Sequence, residues 1–364
     1  MRTGKRAWLA VAAVAVVAVV ALVVLGREDP PPPRALAEVF PDTALRQCMA
    51  AALAVPGPSA VVSADALRGV RGLTCSSFGP IADLTGLDQV SRLTTLDLSG
   101  NAISDLGPLA GLPELADLVL ADNQVTDLAP LAGLPLLVLD VSGNPVADLT
   151  GLADQELLAG LDLSGTAVSD LGALAGRPKL GQLTLTDAPV ADLSPLAGLP
   201  VLTDLGLSGT VVADLSPLAE VPTLRLLGLA GDRVTDVTPL AALTGLTELD
   251  LSGNQVRDVT ALAGLAQLDE LRLTDNLVGD LAPLGANPAL RVLYVEGNQV
   301  ADLTPLATAP ALSELWLGRN PVTDLTPLVG MPSLTGVDLS ETDASGIAGI
   351  EELRASGVYV GGLA

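Results

Sequence analysis

Hydrophobic and polar positions recur along this chain with a period of 22 residues. Residues 246–267 read LTELDLSGNQVRDVTALAGLAQ, and residues 312–333 read LSELWLGRNPVTDLTPLVGMPS. Both fit one template, LxxLxLxxNxVxDLxPLxGLxx. Twelve copies start at Leu93, Leu115, Leu136, Leu158, Leu180, Leu202, Leu224, Leu246, Leu268, Leu290, Leu312 and Leu334, and the second copy has 21 residues. The LxxLxL alternation predicts one short strand per copy. Leucines at positions 1, 4 and 6 face inward, and positions 3 and 5 face outward. A unit this short can bury its apolar side only against its neighbours, so the period predicts a stack of turns. Twelve strands stacked in parallel at about 4.8 Å span roughly 55 Å.

Two polar positions belong to the template. Position 9 carries Asn101, Asn123, Asn144, Asn254, Asn276, Asn298 and Asn320. A buried amide there can satisfy backbone groups of its own turn and of a neighbour. Four middle copies depart, with Thr166, Ala188, Thr210 and Asp232, and the last has Thr342. Threonine can keep part of the bonding and Ala188 none, so a weak point or a change of curvature is expected near Ala188. Position 13 is aspartate in eleven copies, from Asp105 to Asp324. Each precedes an L-x-P-L-like turn, where a carboxylate can cap a short 3-10 helix. A calcium ladder is the competing reading. One carboxylate per turn falls short of a six-to-eight-oxygen shell, and no D-x-D-x-D-G loop occurs.

The flanks differ from the repeats. Arg2, Lys5 and Arg6 precede an uncharged run over residues 7–25. As a helix it would rise about 28 Å, close to the roughly 30 Å of a bilayer core. The basic flank predicts that the remainder faces outward. The expected element is an uncleaved signal anchor, with a cleaved signal peptide as the alternative. Four prolines at 30–33 predict a stiff spacer. Residues 38–92 contain a short helix from Asp42 or Thr43 to about Ala54, stopped by Pro56-Gly57-Pro58. Cys48 and Cys75 are the only cysteines and share this block. Outside the cytoplasm they would form a disulfide, and two buried free thiols are the alternative. After the last copy, residues 347–355 read as a short amphipathic helix and Val358-Tyr359-Val360 as a closing strand.

The 22-residue template resembles the leucine-rich repeat of bacterial internalin-like proteins. Phe40-Pro41-Asp42, the short helix and the phrase Ile81-Ala82-Asp83-Leu84-Thr85-Gly86-Leu87 resemble the internalin N-terminal cap. The resemblance implies an α/β leucine-rich-repeat fold: a right-handed solenoid, or horseshoe. It would have a parallel concave sheet, a convex side of 3-10 turns and about twelve repeats, here preceded by one transmembrane helix. It also implies that concave aromatics contact a partner, while leaving the cysteine pair undecided. The expected organisation is an anchor over 1–26, a Pro-rich linker over 27–37, an N-terminal cap over 38–92, repeats over 93–345 and a C-terminal cap over 346–364.

Composition narrows the function. The chain has 364 residues, only 2% aromatic, and a net charge of −24. That charge opposes nucleic-acid binding. No histidine occurs, which removes serine–histidine and histidine–zinc chemistry. Carboxylates on an open repeating surface lack the enclosure that shifts a pKa, so no enzyme, metal or cofactor is expected. Few lysines beside abundant Ala, Val, Gly, Asp and Arg fit a GC-rich bacterial genome.

Position 5 breaks the template most sharply at Arg272, Tyr294 and Trp316 on consecutive turns. Trp316 is the only tryptophan apart from Trp8. Neighbouring turns would set the two rings about 5 Å apart, within stacking range. With Glu270, Glu296, Glu314 and Arg319 around them, these residues have the make-up of an interaction hot spot. Mutual cover of two rings on an exposed sheet is the competing account. Gly160, Gly206 and Gly228 predict a bare stretch in the middle of the sheet. The expected protein is a single-pass cell-membrane protein, or a secreted one after cleavage. Its outward repeat domain would bind a protein, or alternatively a cell-envelope glycan. A structural role in the envelope is the remaining class, and a relative of intracellular phosphatase regulators would not need the apolar segment.

Overall fold

A computed structural model describes residues 32–343 and 345–363. The expected anchor lies outside the described residues, as does the first part of the linker. Among the described residues no helix is long and apolar enough to cross a membrane.

Each LxxLxL forms a strand that starts at position 3, three residues long in the first eleven copies and seven in the last, and the strands pair in chain order. One all-parallel sheet of fourteen strands runs from β3 (Gly72–Thr74) to β16 (Tyr359–Leu363), with β4 (Thr95–Asp97) to β15 (Gly336–Thr342) supplied by the twelve repeats. A two-stranded ribbon, β1 (Arg34–Ala35) with β2 (Val61–Val62), precedes it. The register advances by one repeat per strand, so Leu249 pairs with Leu271 and Leu271 with Leu293. Eight positions per turn point inward. In one copy they are Leu246, Leu249, Leu251, Asn254, Val256, Val259, Leu262 and Leu265, all buried. Burial of each large aliphatic side chain contributes roughly 1.5–3 kcal/mol, and ladders of them replace the aromatics this core lacks.

The side opposite the sheet is a row of 3-10 turns from Leu87–Gln89 to Thr326–Leu328. All eleven position-13 aspartates accept the N–H two residues on, at 2.8 Å, which opens the turn. Proline inside many of these turns has no N–H to lose and a preset φ. At Asp192, Asp236, Asp258, Asp302 and Asp324 the hydroxyl of the serine or threonine two residues on, and then its N–H, hold the carboxyl below the usual range. The expected caps are therefore present.

Position 9 joins successive turns. Asn276 Nδ2 donates to the carbonyls of Leu251 at 2.8 Å and Leu273 at 3.0 Å, and its Oδ1 accepts from Val256 N–H at 2.9 Å. The four middle copies lose this pattern. Thr166 donates only to Leu163 of its own turn. Ala188 is buried, and its turn closes through Val190 N–H to the Ala188 carbonyl at 2.8 Å. Strand pairing nevertheless continues in register across this stretch. Thr210 donates to Asp232 Oδ1 at 2.6 Å, while Asp232 Oδ2, on a residue only 6% exposed, has no hydrogen-bond partner among the described residues. Burial pushes the Asp232 carboxyl up to about 6, against the Thr210 hydrogen bonds that lower it.

The ends are closed by separate devices. Numbering helices along the described chain, α1 is Leu36–Val39, α2 Thr43–Ala52, α3 Ala64–Gly69 and α4 Ile350–Ala355. Asp42 caps α2 through the N–H groups of Ala44 and Leu45, and its other oxygen accepts from Ala82 at 3.1 Å and Asp83 at 3.4 Å. One carboxylate thus ties the Phe40-Pro41-Asp42 opening to the phrase forty residues on. Gly86 permits the contact: at φ +100°, a Cβ there would lie 2.2 Å from the Val39 carbonyl. A disulfide joins Cys48 of α2 to Cys75, just past β3, 27 residues apart. Closing such a loop restricts the unfolded chain by about 3.5 kcal/mol.

At the other end the helix begins at Ile350, three residues later than the pattern suggests. Ala348 is drawn into a bridge with Asp324, and Gly349 turns the chain at φ +86°, where a Cβ would lie 2.6 Å from the Thr326 nitrogen. β16 then adds a rung to β15, pairing Tyr359 with Gly336 and Val360 with Val337.

Asp232 generates a stability prediction. A carboxyl whose folded pKa is raised favours folding fully below its unfolded value, and that contribution is lost as pH rises through about 6. Asp232→Asn restores donors aimed at the carbonyls of Leu207 and Leu229 and removes the titration. Chemical denaturation should show the variant more stable by about 1–2 kcal/mol at pH 8 and by much less near pH 4.5. An equal difference at both pH values would show that the buried carboxyl does not control the effect.

Candidate binding face

Side chains at positions 3 and 5 stand on the solvent face of the sheet, and strand register decides which of them meet. In β12 (Glu270–Arg272), β13 (Val292–Tyr294) and β14 (Glu314–Trp316), Arg272 pairs with Tyr294 and Tyr294 with Trp316. The Tyr294 and Trp316 rings stack, with centroids 5.5 Å apart and planes at 20°. Arg272 Cζ lies 4.4 Å from the Tyr294 centroid, and its guanidinium also pairs with Glu270. A carboxylate, a guanidinium and two rings therefore follow one another along the face. Such contacts hold large side chains in one arrangement, with Tyr294 and Trp316 half-buried and Arg272 exposed.

The seven sequence-predicted residues divide into two groups. Glu270, Arg272, Tyr294, Glu314 and Trp316 share the sheet face. Glu296 and Arg319 do not join them. They sit at positions 7 and 8, beyond the strand, where the in–out alternation has ended. Glu296 accepts the Thr274 hydroxyl at 2.9 Å. Arg319, at φ +57°, pairs with Asp275 at 2.8 Å and Glu341 at 3.6 Å. Arg291, at position 2, is held by both oxygens of Asp269, at 2.6 and 2.9 Å. The guanidinium keeps the Asp269 carboxyl below the usual range.

One aromatic of this face escapes sequence reading. Tyr359 of β16 stands in the position-3 column beside Gly336 and is 72% exposed. The step from Gly336 to Tyr359 is 23 residues, one more than the period, so counting by 22 misses it. Glu314, Trp316, Gly336, Asp338 and Tyr359 line a cleft of about 250 Å³. A shallower hollow of about 410 Å³ lies mid-sheet over Gly206 and Gly228, flanked by Leu226 and Thr184. That is the bare stretch expected there, although Gly160 does not line it.

The acidic residues at position 5 have local work. Asp97, Asp140, Asp162, Asp250 and Asp338 each accept the N–H of the serine two residues on, at 2.8–3.0 Å. They shape the strand exit in the same manner as the position-13 caps shape the turn. No group of three or more His, Cys, Asp or Glu among the described residues could hold a metal ion.

The stacked pair yields a measurable expectation. If the rings sit on the sheet without holding it together, Tyr294→Ala combined with Trp316→Ala should cost only about 1 kcal/mol in chemical denaturation. A loss above roughly 3 kcal/mol would identify the pair as structural support.

Comparison with known proteins agrees with the repeat architecture. A family model described as leucine-rich repeats in two copies matches residues 91–133, and a single leucine-rich-repeat model matches residues 243–263. No curated protein matches the chain. Among solved structures, an internalin (inlF) from Listeria monocytogenes is 28% identical, with a TM-score of 0.83 over 92% of this chain and 98% of that one. A leucine-rich-repeat protein from Leptospira interrogans is 22% identical, with a TM-score of 0.74 over 83% of this chain and 80% of that one. The functional domain of InlJ from Listeria monocytogenes, which includes a cysteine ladder, is also 22% identical, with a TM-score of 0.69 over 86% and 72%. This chain has two cysteines and no such ladder. The 22-residue template, the single parallel sheet with its 3-10 turns and the near-complete superposition on an internalin together show a leucine-rich-repeat architecture similar to that of the internalins.

Proposed function

We propose that this protein is a non-catalytic interaction module that binds a protein partner on the solvent face of its sheet, at the end nearer the C-terminus. The observation that carries this reading is the stacked, solvent-facing pair Tyr294 and Trp316 with Arg272 against it. A core otherwise built of leucine has no need of two large rings outside it. Aromatic and arginine side chains that are rigid before binding lose little entropy when a partner covers them. Open, repeating carboxylates give no enclosed acid–base pair, which supports a binding role over a catalytic one.

The repeat domain is proposed to work outside the cytoplasm. Two features support that placement: the Cys48–Cys75 disulfide, which fits an oxidising compartment, and the basic-then-apolar segment over residues 2–25. Anchoring by that segment is part of the proposal, as is the organisation into caps and repeats given above. Glu296 and Arg319 are proposed to border the contact from the rim of the sheet.

The test is a pull-down from cell-envelope extract with immobilised wild-type protein beside the Tyr294→Ala/Trp316→Ala variant. A protein retained by the wild type should fall at least tenfold in the variant. Identical partners in both samples, or none in either, would overturn the aromatic site and favour a scaffolding role. Retention of a glycan alone would replace the class of partner.

A further inference from the structure

The cleft between Trp316 and Tyr359 has walls, a floor and charge of a definite kind. Trp316 stands on one side and Tyr359 on the other, two strands away, with β15 between them. Gly336 forms the floor, and nothing lies within 4 Å of the place a Cβ would occupy there. Gly361 serves the far wall, because a Cβ there would meet the Tyr359 ring at 2.7 Å. Glu314 and Asp338 border the cleft. Among the described residues neither carboxylate has a basic partner within 4.0 Å, whereas Glu270, Asp269, Asp275 and Glu341 all do. At about 250 Å³ the cleft is smaller than the roughly 300–1,000 Å³ of small-ligand sites and suits a single side chain.

The same sheet shows what this mixture of groups holds. Two strands earlier, Glu270 and Tyr294 flank the guanidinium of Arg272, which pairs with the carboxylate and lies over the ring. Glu314 and Asp338 with Trp316 and Tyr359 reproduce that environment with two carboxylates and two rings, but without an arginine of the chain's own. We infer that the cleft is a specificity pocket for an arginine side chain of the protein partner, its guanidinium lying against the aromatic walls and paired with Glu314 and Asp338. This rests on the protein-binding role proposed above and names the chemistry the partner must present. Carboxylates select the charge, and the flat walls favour a planar guanidinium over a compact ammonium.

The experiment uses the full chain carrying Trp8→Phe, so that Trp316 is the sole tryptophan, in buffer near 0.15 M salt to screen the general attraction of a −24 protein for cations. N-acetyl-arginine amide is titrated against Trp316 emission beside N-acetyl-citrulline amide, which has nearly the same shape and no charge. The arginine compound should give a saturable change, and the citrulline compound should need at least tenfold higher concentration. Glu314→Gln with Asp338→Asn should weaken the arginine response at least fivefold, as should Tyr359→Ala. Asp117→Asn with Glu248→Gln removes the same charge elsewhere on the sheet and should leave the response unchanged. Equal responses to the two compounds, equal weakening by the two charge-removing pairs, or an undiminished response in Tyr359→Ala would overturn the pocket. The probe needs no partner, so the two proposals fail separately. A partner lost on Tyr294→Ala/Trp316→Ala with no arginine response removes the pocket alone, whereas an arginine response with no partner captured keeps the pocket and removes the protein-binding reading.

Discussion

One buried amide per turn decides how this chain stacks. Position 9 lies where the chain leaves the strand, and the carbonyls of two successive turns point toward it. An asparagine there donates to both and accepts an N–H from the preceding turn, as Asn276 does. Buried backbone groups left without partners would cost more than the leucines nearby could readily offset. Satisfying them in this way sets the spacing of turns and keeps the sheet in register. The register in turn places position 5 of one copy beside position 5 of the next. The Tyr294–Trp316 stack follows from that placement, since residues 22 apart in sequence become nearest neighbours on the face.

The middle of the array shows that the amide can be dispensed with for a short stretch. From Thr166 to Asp232 the bonding is partial, yet strand pairing continues from β7 (Gly160–Asp162) through β11 (Glu248–Asp250). Leucine ladders on both flanks carry the stack across, because each turn needs support only from its neighbours. The strain gathers at Asp232, where a carboxylate occupies a place built for a donor and its free oxygen lacks a partner among the described residues. A chain whose stability is a sum over turns can hold one poor turn without unfolding, so such a substitution persists.

What was legible in the sequence is what the period controls. The strands, the inward leucines, the aspartate caps and the Arg272–Tyr294–Trp316 alignment all follow from counting by 22. What was not legible lies where the period stops or where alternation ends. Tyr359 is 23 residues from Gly336 and takes its place only through the pairing of β16 with β15. Glu296 and Arg319 have the spacing of neighbours of the rings, but two and three residues past their strands the alternation has ended, and they pair with Thr274 and Asp275 instead. The late start of α4 depends on Gly349 passing close to Thr326, a contact between segments more than twenty residues apart that no local pattern encodes. The disulfide was open for the same reason, since spacing alone does not bring Cys48 to Cys75.

The charge of the chain follows in large part from this geometry. Eleven aspartates cap 3-10 turns and five more close strand exits, so much of the −24 is a by-product of the bonds that make the turns. The eleven are exposed and the five half-buried, and together they still project a negative field, which repels anionic polymers and draws basic surfaces toward the sheet at long range. Such a field is spread along the whole array and cannot by itself choose a site. Selection on the proposed reading needs short-range features that are not repeated, and these are concentrated between β12 and β16. There the rings interrupt the acidic pattern, and Glu314 and Asp338 have no basic partner among the described residues. A basic partner attracted everywhere would then be held in one place, because there aromatic faces coincide with carboxylates that have no basic partner among the described residues.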